Sequence, residues 1–215
     1  MLHKEKVLLI DKPLNWTSAD VVRLLKRKLK PRKIGHAGTL DPRATGLLII
    51  LLDEATKRFA EFQKLLKVYE AEIEFGLETD TYDSEGQIVA EYSGDFLLDK
   101  NNLEKELKGV VGKRQQTPPP FSAVKIKGQR AYDLARAGKD FVLEPKMIEV
   151  YEACLLESTA KSVKVRFAVS SGTYIRSLAH DLGRKMGVGA YLKNLRRTTI
   201  GDYQVAEAKK VEDFE

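Results

Sequence analysis

Residues 67–76 read KVYEAEIEFG, and they alternate cleanly. Tyr69, Ala71, Ile73 and Phe75 fall on one side of an extended chain; Glu70, Glu72 and Glu74 fall on the other. A period of two is the signature of a strand with one face on a core and one in water. Tyr69 therefore points inward. Toward the N-terminus, LLIILL (47–52) has no polar face and reads as a strand buried on both sides, and EKVLLI (5–10) as another short strand. Thr17 or Ser18 can cap a helix running to about Lys30, with Val21, Val22, Leu25 and Leu29 on one face and Pro31 ending it. Residues 31–46 are rich in Gly, Pro and Thr and read as a loop; 54–66 read as a helix. Toward the C-terminus a turn centres on Asp83–Gly86, strands are expected at about 146–157 and 162–170, and a helix from about Thr173 carries Ile175, Leu178, Ala179, Leu182 and Met186. Strands and helices mix irregularly, which favours an α+β or mixed α/β sheet protein over repeating βαβ units. No repeat, low-complexity tract or linker divides the chain, so residues 1–215 are expected to be a single domain.

Composition narrows the class further. With 43% hydrophobic and 32% charged residues the chain reads as a globular protein able to bury a core. It has no window of eighteen apolar residues, which excludes a helical membrane span. The apolar run near the start is too short for a secretory segment, and Asp11 and Lys12 interrupt it. One cysteine, Cys154, excludes an internal disulfide and a cysteine-based zinc site. It sits in an alternating apolar stretch and is expected to be a buried structural thiol. A cytoplasmic location fits these features. The net charge of +6 is segregated: residues 21–43 hold eight Lys or Arg and one acid, 70–95 hold nine acids and no base, and 184–197 hold five bases and no acid. Basic blocks around a lone carboxylate suit a polyanionic partner, and equally suit solvated helix faces.

That lone carboxylate is Asp41, in GHAGTLDPRATGLL (35–48). Gly35, Gly38, Gly46 and Pro42 allow tight turns and close approach to a ligand. Asp-Pro is also a common turn former, so residue type alone leaves Asp41 as a catalytic acid or a local cap. The stretch is not a phosphate loop, because it lacks the Gly-Lys-Ser/Thr ending.

The run from Gly35 to Leu48 closely resembles the signature of the TruB family of tRNA pseudouridine synthases. The resemblance continues in order along nearly the whole chain. It takes in Lys12-Pro13 with Thr17-Ser18, the KVYEA stretch with Tyr69, and Gly76 followed by Thr79-Asp80-Thr81. It goes on through Pro119 with Phe121-Ser122-Ala123 and Lys125, then Gly172 to Leu178 (GTYIRSL), and ends at Leu195-Arg196-Arg197. Asn15 stands where family members usually have Gly; Asn tolerates positive φ next best, so the turn is expected to survive. Many members continue into a PUA-type RNA-binding domain, and the sequence stops at Glu215, so no such domain is expected here.

The resemblance implies the pseudouridine-synthase fold: α+β, with a mixed, mainly antiparallel sheet flanked by helices and a central active-site cleft. It implies isomerisation of the T-loop uridine of tRNA, position 55, by a monomer that binds the T stem-loop and uses no cofactor and no metal. Asp41 becomes the essential carboxylate, which attacks the nucleoside or removes a ribose proton. Arg176 pairs with it, and Tyr69 stacks on the flipped base and assists at carbon 5. His36 intrudes where the base has left, Tyr174 and Leu195 line the base pocket, and Lys12 belongs to the N-terminal motif. Arg23, Lys26 and Arg27, on the basic helix, can neutralise phosphates.

The residue types suit the chemistry. The base leaves its ribose, rotates and reattaches through carbon 5, so no atom is lost and no oxidation state changes. One carboxylate suffices, and an arginine suits it because the guanidinium stays charged and its planar fork fixes carboxylate geometry. Two rivals remain: a relative that modifies ribosomal RNA with a guide RNA, and an RNA chaperone that folds tRNA without chemistry.

Overall fold

The computed structural model describes residues 6–92, 96 and 98–214. In chain order the elements are β1 (Val7–Lys12), α1 (Ser18–Leu29), β2 (Ile34–Ala37), β3 (Ala44–Leu52), α2 (Phe59–Lys64), β4 (Lys67–Phe75), β5 (Leu77–Thr79) and β6 (Ile88–Glu91). They continue with α3 (Lys100–Lys108), β7 (Gly112–Gln116), β8 (Lys125–Ile126), β9 (Gln129–Arg130), α4 (Ala131–Arg136), β10 (Lys146–Ser158) and β11 (Ser162–Val169). The last are α5 (Ile175–Met186), β12 (Ala190–Ile200), β13 (Tyr203–Gln204) and β14 (Lys209–Lys210). The chain forms two compact units: residues 1–70 with 195–215, and residues 71–194.

The first unit is built on β3. Strand order there is β14-β1-β3-β12, with β2 also on β3 and β13 on β12. β1 and β2 run antiparallel to β3, whereas β12 runs parallel to it and β14 parallel to β1. The continuous apolar run of β3 is explained by its two faces. Leu48 and Ile50 pack with Val21, Leu24 and Leu25 of α1, and Leu47, Ile49 and Leu51 pack with Ala37, Phe62 and Ile200. Each such fully buried aliphatic contributes roughly 1.5–3 kcal/mol. The expected strand at 5–10 is β1; Glu5 lies outside the described residues.

Helix α1 starts where its cap was expected. Thr17 accepts from the Asp20 backbone N–H, and the Asp20 carboxylate accepts from the Thr17 N–H in return. Its buried face is Val21, Leu24 and Leu25 rather than one that includes Leu29, which is 41% exposed in the last turn. The expected helix over 54–66 is split into a 3₁₀ stretch (Asp53–Arg58) and α2. There the Thr56 hydroxyl donates to the Asp53 carbonyl, competing with the regular helical pattern. The expected loop over 31–46 contains β2, a strand too short to signal itself by periodicity; its pairing with β3, Ile34 opposite Leu52, creates it.

The second unit carries the order β4-β11-β10-β7 with helices α3 and α5, α3 packing on both α5 and β10. Ala71, Ile73 and Phe75 of β4 are buried as the alternation requires. β10 pairs antiparallel with β11 and β7. Ile148 and Val150 point inward, but Cys154 does not: it is exposed, contrary to the expected buried thiol. Register shifts between Val150 and Glu152 and between Leu155 and Glu157 break the alternation, so residues of the same parity change face. The mixed, mainly antiparallel α+β architecture expected from the sequence is present in these two units.

Candidate active site

The Asp41 loop joins β2 to β3 in the first unit, and each residue from 38 to 42 has its backbone held. Arg197, on β12, donates from Nη2 to the Gly38 carbonyl at 3.0 Å and from Nη1 to that of Thr39 at 3.4 Å. Its Nε donates to the Leu47 carbonyl at 2.8 Å. Ser18 Oγ donates to the Leu40 carbonyl at 3.1 Å and accepts from the Leu40 N–H at 2.9 Å. The Asp41 carbonyl accepts from the Ala44 N–H at 3.0 Å. The Pro42 carbonyl accepts from the Asn15 N–H at 3.0 Å and from Lys12 Nζ at 3.3 Å. Asn15 does have positive φ, +64°, and its side-chain oxygen accepts from Arg43.

Lys12 is fully buried beneath this loop. Its ammonium also donates to the Pro13 and Trp16 carbonyls at 2.9 and 2.6 Å. Burial pushes its pKa down to about 8; the Arg197 charge acts in the same direction and the Asp41 charge opposes it. Arg197 is 1% exposed, and its guanidinium lies 6.0 Å from the centre of the Tyr69 ring, itself only 9% exposed. Lys67, two residues before Tyr69, is likewise held near 8 by burial, with Arg197 adding to the effect; its ammonium donates to the Gln63 and Leu65 carbonyls that end α2. His36 on β2 is half-buried. Burial and the Arg197 charge lower its pKa, and its Nδ1 has no hydrogen-bond partner. Leu195 lies opposite Ala44, three residues past Asp41, in the parallel β12–β3 pairing. That pairing requires a glycine at position 46, where a Cβ would sit 2.2 Å from the Arg197 carbonyl oxygen. Lys26 and Arg27 stand exposed on α1, and Arg23 is exposed and ion-paired to Asp20.

Tyr174 and Arg176 belong to the second unit, at the start of α5. Tyr174 precedes the first helical residue; its N–H donates to Gln116 Oε1 at 2.8 Å, and its carbonyl accepts from Gln116 Nε2 at 2.9 Å. Arg176 is 7% exposed. Its Nη1 donates to Asp83 Oδ2 at 3.1 Å and to the Thr81 carbonyl at 3.2 Å, and its Nη2 donates to the Phe121 carbonyl at 3.2 Å. The other Asp83 oxygen accepts from Thr81 Oγ1 at 2.6 Å and from the Glu85 N–H at 3.0 Å. Asp83 thus orients Arg176, and sequence reading had placed it only in a turn. The available signal was a buried-side arginine in GTYIRSL needing a carboxylate, with many acids in 70–95 to choose from. Ser18 reads in the sequence as a motif letter and a candidate helix cap, and Arg197 as a motif letter; neither reading shows the loop contacts they make. Among the described residues no group of three or more His, Cys, Asp or Glu is placed to hold a metal ion. None of the described helices is long and apolar enough to cross a membrane.

Residues 26–175 match the family model for the TruB family pseudouridylate synthase N-terminal domain, and residues 176–215 that for the tRNA pseudouridylate synthase B C-terminal domain. The chain belongs to the TruB family of pseudouridylate synthases. Among TruB relatives, the tRNA pseudouridine synthase B of Aquifex aeolicus is 50% identical over 209 residues, covering 96% of this chain and 72% of that protein. The tRNA pseudouridine synthase B of Bacteroides fragilis is 46% identical over 208 residues, covering 94% of this chain and 89% of that one. Among solved structures, a chain of a Cbf5-Nop10-Gar1 complex superposes with a TM-score of 0.75 at 31% identity over 96% of this chain; this chain spans 52% of that one. The TruB assignment makes the Asp41 loop, with Tyr69 and Arg197 beside it, the candidate catalytic centre.

Proposed function

We propose that this protein is a tRNA pseudouridine-55 synthase, isomerising the T-loop uridine by base flipping around Asp41. The observation that carries the reading is the Asp41 loop itself, whose backbone is held at every residue from 38 to 42. A carboxylate that must meet one carbon of an extruded nucleoside benefits from such fixation, because small misplacements cost large factors in rate. Asp41 attacks the nucleoside or takes a ribose proton. Tyr69 provides a ring on which the extruded base stacks, worth on the order of 1–3 kcal/mol per base. Arg176, oriented by Asp83, is the fixed guanidinium that serves the reacting carboxylate. Tyr174 and Leu195 border the base, His36 enters the emptied place in the RNA loop, and Lys12 supports the Asp41 loop from below. Arg23, Lys26 and Arg27 meet phosphates of the T stem-loop. The protein works in the cytoplasm as a monomer, and the isomerisation calls for no cofactor or metal. The identities to tRNA pseudouridine synthases B, 50% and 46%, against 31% to the Cbf5 complex, favour tRNA over a guide-directed substrate.

The test is incubation of the purified protein with an unmodified tRNA transcript, followed by mapping of pseudouridine. Conversion of the T-loop uridine without any guide RNA is expected, and Asp41→Asn is expected to abolish it. A requirement for a guide RNA would favour the ribosomal reading, and accelerated tRNA folding without conversion would favour the chaperone.

A further inference from the structure

We infer that Arg197 is the positioning residue that sets Asp41 against Tyr69. This rests on the functional reading above and deepens it. Arg197 enters from β12, more than 150 residues along the chain from the loop it holds. It is a buried cation with no ion pair among the described residues, and its hydrogen-bond partners are the Gly38, Thr39 and Leu47 carbonyls. Burying a charge without a counter-ion is expensive, and a well-packed apolar side chain would stabilise the fold better. What the guanidinium supplies instead is geometry: a planar fork whose separate N–H groups reach three carbonyls at once. Two of those carbonyls lead into Asp41, and the third lies where β3 leaves the loop.

The same guanidinium lies over the Tyr69 ring at 6.0 Å, within the range of a cation–π contact. Among the described residues it is the cation seen over that ring. Ser18 and Asn15 hold the loop from the α1 side, and Lys12 holds it from β1. Arg197 adds what these do not: a shared anchor for the reactive carboxylate's loop and the stacking ring. A change in its position moves both partners of the extruded base relative to each other, while the phosphate-binding surface of α1 is untouched. Lysine at this place would keep the charge but offer one point in place of a fork.

The experiment compares wild type with Arg197→Lys and Arg197→Met on tRNA, in single-turnover and steady-state kinetics and in amide hydrogen exchange. Wild-type turnover tests the functional reading alone; the variants test the anchor. Both variants are expected to fold and to bind tRNA with KM within about threefold of wild type. Their kcat is expected to fall about 100-fold, the factor typical of small misplacement. Amides of residues 38–44 are expected to exchange faster while those of β1 and α1 hold. Near-wild-type kcat in Arg197→Lys, a loss confined to KM, unchanged exchange in the loop, or failure of both variants to fold would each overturn the assignment. If wild type proved inert on tRNA, loop exchange in Arg197→Lys would still decide whether Arg197 anchors the loop.

Discussion

Lys12→Met should change how stability depends on pH, and the size of the change follows from burial. The folded protein holds the Lys12 ammonium near pKa 8, against an ordinary 10.5 in the unfolded chain. Between those values the unfolded chain binds more protons than the folded one, so stability rises with pH through this window. The shift corresponds to about 3 kcal/mol that the buried charge withholds from the fold below pH 8 and releases by about pH 10.5. Methionine fills similar space with no titrating group. It also leaves the Pro13, Trp16 and Pro42 carbonyls without the ammonium, a pH-independent loss of roughly 1–3 kcal/mol for each one left unsatisfied. The useful quantity is therefore the difference between the two proteins, measured by urea unfolding from pH 7 to 10.5. Other groups that titrate there, Lys67 among them, cancel in it. Wild type is expected to gain about 3 kcal/mol on the variant across that range, or on the order of 6–12 °C in relative Tm for a chain of this size. A pH-independent difference would refute the buried-charge argument. Asp41→Asn should enlarge the gain, because it removes the charge that favours protonated Lys12.

The remaining predictions concern the site. Asp41→Asn should bind tRNA and form no detectable pseudouridine; multiple turnover near the wild-type rate would remove Asp41 from the chemistry. Asp83→Ala takes one hydrogen-bonding carboxylate from the buried Arg176, and should cost roughly 1.5–3 kcal/mol in denaturant titration and lower kcat more than it raises KM; an effect on RNA affinity alone would make Arg176 a phosphate contact. If the Tyr69 hydroxyl assists at carbon 5, Tyr69→Phe should bind RNA and stall before product; if stacking alone matters, it should remain active and Tyr69→Leu should not. Equal, near-wild-type activity of both would leave Tyr69 as core packing. Lys26→Gln and Arg27→Gln should each reduce the slope of log affinity against log salt by about 0.7–0.9, measured by filter binding over a salt series; an unchanged slope would take α1 off the RNA.

The amino-acid sequence by itself determined what depends on neighbours along the chain. The alternation of 67–76 placed Tyr69, Ala71, Ile73 and Phe75 inside, and they are inside. Thr17 with Asp20 set the start of α1 through a local exchange of hydrogen bonds, and Asn15 could take its positive φ because a short polar side chain tolerates that region. The motif series was enough to name the TruB family. Tertiary structure decided whatever depends on partners far away in the chain. Residues 184–197 read only as a basic block, whereas 190–200 form an eleven-residue strand, which buries Arg197 and leaves Arg196 paired with Asp11. β2 exists because β3 lies beside it, and Cys154 is exposed because bulges in β10 reverse a parity that its sequence would have kept. Lys12, Lys67 and Arg197 carry charges that composition assigns to the surface. They are buried because inward-turned backbone carbonyls need donors, near in the chain for Lys67, both near and far for Lys12 and far for Arg197, and a flexible cation can reach them where another backbone amide cannot.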